Sequence, residues 1–217
     1  MNPVIYAQQR YTCKSYDANR KIDAQTLDDL LQMLWLSPSS INIQPWRFFV
    51  TDNAQTKEKI IKSMIDGDEH NVAKINNCSH VIIFCTRTNI DQDHLMRVLQ
   101  AEKDSGRFAS EDIMKARLTL CQHYISQLTA DADTLFHWAE NQTFIALGQL
   151  LLSAQLLGVD ATPIGGYNKQ LLNKEFEFDK QNLQSSVLVA LGYASNNDNN
   201  KTLAKARLDK AEIFEFI

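Results

Sequence analysis

The apolar run of residues 143–159 constrains the fold of this chain more than any other segment. It carries Gln149 and Gln155, and it is shorter than the ~20 apolar residues that cross a bilayer. Apolar side chains surround nearly its whole circumference, and small residues such as Ala146 and Gly148 permit close packing. This pattern predicts a buried helix. We expect the helix to lie in the central core or at an interface between two subunits.

Shorter helices and strands alternate elsewhere in the sequence. Apolar residues recur with helical spacing from Leu27 to Trp35, with Asp23 as the predicted N-cap, Ile22 packed against Leu27 and an end near Ser37-Pro38. Short runs rich in β-branched and aromatic residues predict core strands of a mixed sheet. The predicted strands are Trp46–Thr51, 80–86 and 186–193, and the further predicted helices are Gln92–Asp104 and Glu111–Leu128.

Length and charge limit the kind of protein. With 217 residues, 44% of them hydrophobic and 22% charged, the chain has the balance of a globular protein and the length of one domain, residues 1–217. No repeat or linker interrupts it, and residues 195–201 are typical of a polar loop. The net charge of -4 argues against nucleic acid as a partner, because a phosphate backbone attracts a clustered basic excess. Any anionic ligand must therefore meet a local basic pocket.

The first residues and the cysteines indicate the compartment. Residues 1–9 have no basic residue ahead of their short apolar stretch, so they do not resemble a secretory signal peptide. Cys13, Cys78, Cys85 and Cys121 are scattered without a C-x-x-C pair, which favours free thiols over a disulfide framework or a zinc site. We expect a cytoplasmic protein without membrane association.

Three common kinds of functional site lack their motif in this sequence. The five histidines show no H-E-x-x-H or similar spacing, which argues against a metal. No G-x-S-x-G turn is present for a nucleophile, and the nearest glycine cluster, Gly165-Gly166, is not a P-loop or a dinucleotide-binding turn. Two short basic clusters remain, Arg10 with Lys14 and Lys205 with Arg207. Their spacing alone is typical of solvated surface charge.

Two segments near the amino terminus together resemble a family signature. Residues 9–17, QRYTCKSYD, are followed by residues 37–48, SPSSINIQPWRF, and the pair is similar to the signature of the nitroreductase family. The resemblance covers essentially the whole chain. It is nearest to the oxygen-insensitive NAD(P)H nitroreductases that are also described as dihydropteridine reductases. It continues through Asn71, Lys74 and the segments 79–85, 106–108, 163–166 and 203–208.

This resemblance implies a fold, an oligomer and a cofactor. Members of the family are α+β proteins with a nitroreductase-like fold, in which helices flank a central mixed sheet. They form intertwined homodimers with a long central helix at the interface, and residues 143–159 suit that helix. Both subunits build each of two FMN sites, and NADH or NADPH supplies the electrons. We therefore expect a homodimeric FMN flavoprotein.

The resemblance also assigns the flavin contacts. Arg10, Thr12, Lys205 and Arg207 would hold the FMN phosphate, a dianion that needs charge-assisted donors where no glycine-rich loop exists. The segment from Pro38 to Asn42 would reach the flavin of the partner subunit. The full expected set is Arg10, Tyr11, Thr12, Cys13, Lys14, Pro38, Ser39, Ser40, Asn42, Asn71, Lys74, Pro163, Ile164, Gly165, Gly166, Lys205 and Arg207.

The residues expected closest to the reaction lie around the flavin ring. Lys14, Asn71 and Lys74 would line its pyrimidine edge, where cations stabilise the negative charge gained on reduction. The main-chain N–H of Gly165 would lie near N5 of the flavin, so Lys14 and Gly165 are the expected catalytic residues. Two positions depart from the family pattern. Gly165 stands where relatives carry glutamate, and Tyr11 stands where histidine or another polar residue is common.

Electron donor and acceptor are expected to use the space above the flavin in turn, because no separate dinucleotide-binding domain is indicated. This predicts ping-pong kinetics. An aromatic and apolar wall there suits nitroaromatics, quinones or pterins. Two alternatives remain open: a flavin, azo or quinone reductase on the same site, and a non-catalytic FMN-binding protein, which the missing glutamate suggests. The expected contacts with NAD(P)H or acceptor are Lys14, Ile41, His70, Asn71, Lys74, Arg107 and Tyr124.

Overall fold

Four β-strands pair into one sheet in the computed structural model, which describes residues 2–129 and 131–217. The strands are β1 (Trp46–Thr51), β2 (His80–Arg87), β3 (Asp160–Ile164) and β4 (Leu183–Gly192), in the order β1-β2-β4-β3 across the sheet. The helices are α1 (Pro3–Gln9), α2 (Ala24–Trp35), α3 (Ala54–Ile61), α4 (Val72–Asn77), α5 (Gln92–Asp104), α6 (Glu111–Leu128), α7 (Ala132–Leu156), α8 (Lys169–Glu175) and α9 (Lys210–Ile213).

The sheet is antiparallel rather than evenly mixed. All neighbouring strands run in opposite directions, and the parallel pairing within the described residues is an isolated bridge between Thr12 and Ala161. The helical connections return the chain to the sheet with its direction reversed, both between β1 and β2 and between β3 and β4. Strand β3 was not predicted. Its five residues directly follow the long helix and include Pro163, which is rare inside a strand.

Both faces of the sheet are covered, because successive side chains of a strand point to opposite sides. On β2, Val81 and Ile83 pack into a core with residues of α3 and α8, including Ile60 and Leu172. The alternate residue Ile82 packs into a second core under α7. This burial on both sides fixes the register of the central strand.

Helix α7 is longer than the predicted helix of residues 143–159. It begins at Ala132, where the Asp131 carboxylate accepts the N–H of Thr134 at 3.0 Å. It ends at Leu156, before Gly158 turns the chain with a φ of 72°, a conformation that glycine adopts at little cost. The sequence pattern missed the first turns because they carry more polar residues.

One face of α7 is exposed in a single subunit. Ala146, Leu150 and Ala154 are buried against the sheet, whereas Phe144 is 45% and Ile145 is 47% exposed. We expected α7 to be buried on several sides, but within one chain only one of its sides is buried. The opposite side presents large apolar side chains to solvent.

Several predicted elements are confirmed. Helix α2 starts where Asp23 accepts the N–H of Thr26 at 2.9 Å, with Ile22 and Leu27 in one apolar cluster, and it ends at Trp35. Helices α5 and α6 and strand β1 have the predicted bounds. Strand β2 extends one residue further than predicted, and β4 begins earlier, at Leu183.

A third apolar cluster joins α5, α6 and α7 to the segment of residues 39–44 (loop 39–44). It contains Leu95 of α5, Cys121 and Ile125 of α6, Leu135 of α7 and Ile43 of the loop. Helices α5 and α6 thus support the loop from one side.

Cysteines and histidines do not form a further structural centre in the described part of the chain. All four cysteines are buried and unpaired. Residues 2–129 and 131–217 hold no group of three His, Cys, Asp or Glu side chains arranged for a metal ion. Over the same residues, no helix has the length and apolar character needed to cross a membrane.

Candidate functional site

The two basic ends of the chain meet beside strand β3. Thr12 forms a bridge to Ala161, and its carbonyl accepts an N–H from Asn200 Nδ2 at 2.7 Å. Lys205 Nζ donates to the carbonyl of Arg10, a residue 195 positions away. Segments separated by nearly the whole sequence therefore form one surface.

Asp198 fastens this junction. Its Oδ2 atom accepts the N–H groups of Lys14 at 2.8 Å and Ser15 at 3.3 Å, and its Oδ1 atom accepts the N–H of Asn200 at 3.0 Å. Burial disfavours the charge of Asp198, but these donors and the Cys13 thiol outweigh that effect and lower its pKa. The carboxylate of Asp198 is therefore ionised, and its hydrogen bonds link the two segments.

A cavity of about 730 Å³ opens at the junction. Asp160 is the acidic residue among its described lining residues, and Asp160 Oδ2 already accepts the N–H of Ala194 at 2.8 Å. The cations that line the cavity outnumber this single carboxylate, so the cavity favours an anion such as a phosphate. These cations are Arg10, Arg20, Lys201, Lys205 and Arg207.

The cations are close enough to influence one another. Burial lowers the pKa of Lys205, and the positive charges of Arg10 and Arg207 lower it further. The Arg20 guanidinium lies 4.1 Å from the centre of the Tyr193 ring, a cation–π contact that holds it at the cavity wall. Sequence reasoning missed Arg20 because no local pattern places it there, and the contact arises only through the fold.

Tyr11 and Cys13 flank the junction on its buried side. The Tyr11 hydroxyl is buried and has no hydrogen-bond partner among the described residues. Burial raises the pKa of Tyr11, and the charge of Asp160 raises it further, so the hydroxyl keeps its proton. Burial and Asp198 likewise raise the pKa of the Cys13 thiol. Cys13 therefore remains a neutral packing residue.

Lys74 contacts Asn71, and Lys14 is close enough to act on the charge of Lys74. Lys74 Nζ donates to Asn71 Oδ1 at 2.7 Å and to the carbonyl of His70 at 3.0 Å. Burial lowers the pKa of Lys74, and the positive charge of Lys14 lowers it further. The positive charges of Lys14 and Lys74 therefore influence each other, and both would stabilise negative charge placed near them.

The two glycines after β3 differ in their surroundings. A side chain at Gly166 would press its Cβ against Asp68 Oδ1 and bring it within 2.9 Å of Asn71 Nδ2, so Asp68 or Asn71 would have to shift to admit it. The carbonyl of Gly166 accepts an N–H from Asn71 Nδ2 at 3.0 Å. Gly165 is exposed, and a Cβ at this position would have no atom within 4 Å. Pro163 and Ile164 complete the end of β3.

Loop 39–44 lies elsewhere on the same subunit. Ser40 donates its N–H to Gln142 Oε1 at 2.9 Å, and Ser39 Oγ accepts the N–H of Gln44 at 2.9 Å. Pro38 is exposed at its start. The described lining residues of the cavity do not include any residue of this loop, nor Lys14, Asn71 or Lys74. Within one chain, the expected site residues therefore fall into three separate groups.

The residues expected to contact donor or acceptor are spread over the surface. His70 is exposed, and its Nδ1 atom is 2.9 Å from the carbonyl of Gly67. Tyr124 of α6 is 37% exposed, with its ring 5.6 Å from that of Trp138. Arg107 follows α5 and is exposed, with its N–H donated to the carbonyl of Glu102 at 3.0 Å. Ile41 packs against the third apolar cluster.

Comparison with known proteins identifies the family. The sequence model of the nitroreductase family matches residues 7–193, and this chain belongs to that family. An oxygen-insensitive NAD(P)H nitroreductase of Salmonella typhimurium is 33% identical over 208 residues, which cover 96% of each protein. The major NAD(P)H-flavin oxidoreductase of Aliivibrio fischeri is 30% identical over 209 residues, covering 95% of this chain and 94% of that protein.

A solved structure shows the same fold. The crystal structure of a protein from Exiguobacterium sibiricum, in complex with FMN, matches with a TM-score of 0.85 at 22% identity. The match covers 100% of this chain and 98% of that chain. The nitroreductase-like fold expected from the sequence is therefore confirmed.

Proposed function

We propose that this protein is an FMN-dependent oxidoreductase that uses NADH or NADPH to reduce nitroaromatics, quinones or pterin-like acceptors. The observation that carries the proposal is the convergence of Arg10, Lys205 and Arg207, from both ends of the chain, on one cavity. Relatives named as an NAD(P)H nitroreductase and an NAD(P)H-flavin oxidoreductase support it. So does a structural relative in complex with FMN.

The residues at the cavity fit the phosphate of FMN. Arg10, Lys205 and Arg207 supply charge-assisted donors, which a phosphate dianion needs in the absence of a glycine-rich loop. The one acidic lining residue, Asp160, is engaged by a backbone N–H. Tyr11 lines the same cavity, although its hydroxyl oxygen is buried. Thr12 lies between these groups and binds the same phosphate.

The chain's own part in the chemistry is electrostatic. When bound, FMN accepts a pair of electrons from the donor and passes it to the acceptor. Lys14 and Lys74 hold positive charge beside the position that becomes negative on reduction, and Asn71 orients Lys74 through its 2.7 Å hydrogen bond. The exposed backbone of Gly165 offers an N–H toward the ring. Cys13, Pro163, Ile164 and Gly166 would complete the flavin contacts beside these groups.

Donor and acceptor would bind in turn over the flavin, with Ile41, His70, Arg107 and Tyr124 as the bordering residues. A shared site gives ping-pong kinetics, which appear as parallel lines in double-reciprocal plots of initial rate. Intersecting lines would refute the shared site. We place the enzyme in the cytoplasm, whose reducing conditions keep cysteines free.

The apolar surface of one subunit supports a homodimer. Besides Phe144 and Ile145 of α7, Trp35 at the end of α2 and Leu36 directly after it are 71% and 61% exposed. Exposed apolar area of this kind marks an interface with another protein. In the dimer, Pro38, Ser39, Ser40 and Asn42 of each subunit would contact the flavin of the other. Sedimentation should therefore give twice the mass of 24.7 kDa.

Anaerobic reduction tests the proposal directly. The purified protein should be yellow, and NADH or NADPH should bleach it before oxygen or a nitroaromatic restores the colour. A protein that takes up no FMN would overturn the proposal. A yellow protein that neither donor bleaches would instead be a non-catalytic FMN-binding protein. Rapid turnover with free flavin as the acceptor would favour the second candidate, a flavin reductase, which the Aliivibrio fischeri relative suggests.

A matched pair of variants tests the phosphate site. Arg207→Ala removes a cation from the cavity wall and should weaken FMN binding roughly tenfold or more, the usual effect of losing a charge-assisted hydrogen bond. Lys210→Ala removes an equally exposed cation from α9 and should leave FMN binding unchanged. Equal FMN affinity in the two variants, measured by fluorescence titration, would remove Arg207 from the site.

A further inference from the structure

Loop 39–44 holds a strained backbone. Ile41, Asn42 and Gln44 have φ values of 50°, 57° and 45°. Left-handed backbone is costly for residues with a Cβ atom, and a β-branched residue such as isoleucine is a genuine outlier there. Strain of this kind persists only where surrounding contacts impose it. The contacts that impose it therefore determine which groups the loop presents.

Helices α5 and α6 supply three of these contacts. Arg117 of α6 donates from Nη2 to the carbonyl of Ile41 at 2.8 Å. Glu102 of α5 accepts an N–H from Asn42 Nδ2 at 3.0 Å. His94 of α5 donates from Nε2 to the carbonyl of Ile43 at 2.7 Å. Each contact reaches a different residue of the strained segment.

Glu102 and Arg117 also hold each other. Arg117 Nε lies 3.6 Å from Glu102 Oε2, and the Glu102 side chain is only 3% exposed. A buried carboxylate costs free energy unless it is paired and hydrogen-bonded, and this one has both an ion pair and the Asn42 amide. The Glu102–Arg117 pair therefore links α5, α6 and loop 39–44.

We infer that Glu102 and Arg117 are positioning residues that fix the flavin-contacting conformation of loop 39–44. The inference depends on the proposed function in one respect, namely that the loop contacts a flavin. Neither residue touches the cofactor. They act through Ile41 and Asn42, whose backbone they keep in the left-handed conformation. Arg107 lies in the connection between α5 and α6, and Tyr124 lies on α6. The two helices that support the loop therefore also carry these two residues.

The chain offers a close control for this pair. Lys103 is the neighbour of Glu102 and also joins α5 to α6, through Glu111 at 2.5 Å, but on the exposed side. Lys103→Ala removes a link between the same two helices and leaves the contacts to the loop intact. Arg117→Ala removes the donor to Ile41, and Glu102→Gln keeps an acceptor for Asn42 while removing the charge that pairs with Arg117.

Hydrogen exchange of the dimeric protein, with and without FMN, provides the test. The N–H groups of Ser40, Asn42 and Gln44 are hydrogen-bonded, so they exchange slowly while the loop is held. In Arg117→Ala they should exchange roughly tenfold faster or more, since a hydrogen bond from a charged donor is lost. Glu102→Gln should show a smaller acceleration, and Lys103→Ala none. Unchanged exchange in Arg117→Ala would overturn the inference.

The visible circular dichroism of bound FMN separates positioning from simple stability. It should change in Arg117→Ala and Glu102→Gln and stay as in the parent protein in Lys103→Ala. Faster exchange with an unchanged flavin signal would overturn the link to the cofactor. If Arg117→Ala does not fold, Arg117→Lys takes its place, because lysine has one nitrogen in place of the two, Nη2 and Nε, with which Arg117 reaches Ile41 and Glu102. If the parent protein binds no FMN, the proposed function fails, and the exchange rates still decide whether these residues hold the loop.

Discussion

The carboxylate of Asp198 accepts the backbone N–H of Lys14 at 2.8 Å, across 184 positions of sequence. This hydrogen bond sets the spacing between the segment that carries Arg10 and Lys14 and the segment that carries Lys205 and Arg207. Asp198 thereby organises a site for an anion although it is itself negatively charged. Backbone N–H groups compensate its charge.

Asp198→Ala should therefore weaken FMN binding without removing any cation. The loss of its charge-assisted hydrogen bonds frees the backbone at Lys14 and Ser15, and we expect FMN affinity to fall roughly tenfold. Fluorescence titration checks this outcome. Asp209→Ala, which removes an exposed helix cap further along the chain, is the control. An unchanged affinity in Asp198→Ala would show that the two segments hold their spacing without it.

Lys14→Ala should lower the reduction potential of bound FMN. Removing this cation destabilises negative charge at the pyrimidine edge, and Lys74 alone remains there. The same change should raise the pKa of Lys74, because the charge of Lys14 is one of the causes that lower it. Redox titration against a reference dye measures the potential, and a value equal to the parent protein's would contradict the role assigned to Lys14.

Gly165→Glu should fold normally and change the flavin. No atom lies within 4 Å of a Cβ at this position, so a glutamate can be accommodated. Its negative charge beside the flavin should lower the reduction potential. Gly166→Ala is the contrasting variant, because its Cβ would meet Asp68 and Asn71 and should reduce thermal stability. Equal melting temperatures in these two variants would speak against the described geometry.

The stability of the protein should fall as the pH drops below about 6.5. Burial, with Arg87 and Arg97 adding to it, lowers the pKa of His94 from 6.5, although the Ile43 carbonyl and Asp91 oppose the shift. Below pH 6.5 the unfolded chain therefore binds the proton that the folded chain resists, and unfolding is favoured. His94→Gln keeps a donor for Ile43 and should flatten this dependence. Urea unfolding at about pH 7.5 and 5.5 compares the stability of the parent protein with that of His94→Gln. An equal loss of unfolding free energy in both proteins would exclude His94 as a cause.

Local sequence pattern predicted those elements whose ends carry their own signals. Helices α5 and α6 begin at the caps Asp91 and Ser110, and β1 has the expected bounds. Strand β3 escaped prediction because it is short and contains proline, and its pairing with β4 depends on tertiary contacts. The turns of α7 before residue 143 were missed because their polar residues hide the helical period.

The candidate site was predictable only where a residue lies in a recognised segment. Arg10, Lys205 and Arg207 follow from the family resemblance, and the structure places them at one cavity. Arg20 and Asp198 gave no signal, since a single arginine before a helix and an aspartate in a polar loop are common. Their positions depend on contacts with Tyr193 and Lys14, which no local pattern encodes.

The separation of the basic cavity from loop 39–44 has a genetic consequence. If each flavin takes its phosphate site from one subunit and its loop from the other, a variant of the cavity and a variant of the loop affect the same one of the two sites in a dimer that contains one chain of each. A chain lacking Arg207 and a chain with a disrupted loop would each be defective alone. Refolded together, they would form hybrids in which one of the two sites has an intact cavity and an intact loop, so two inactive alleles would complement each other.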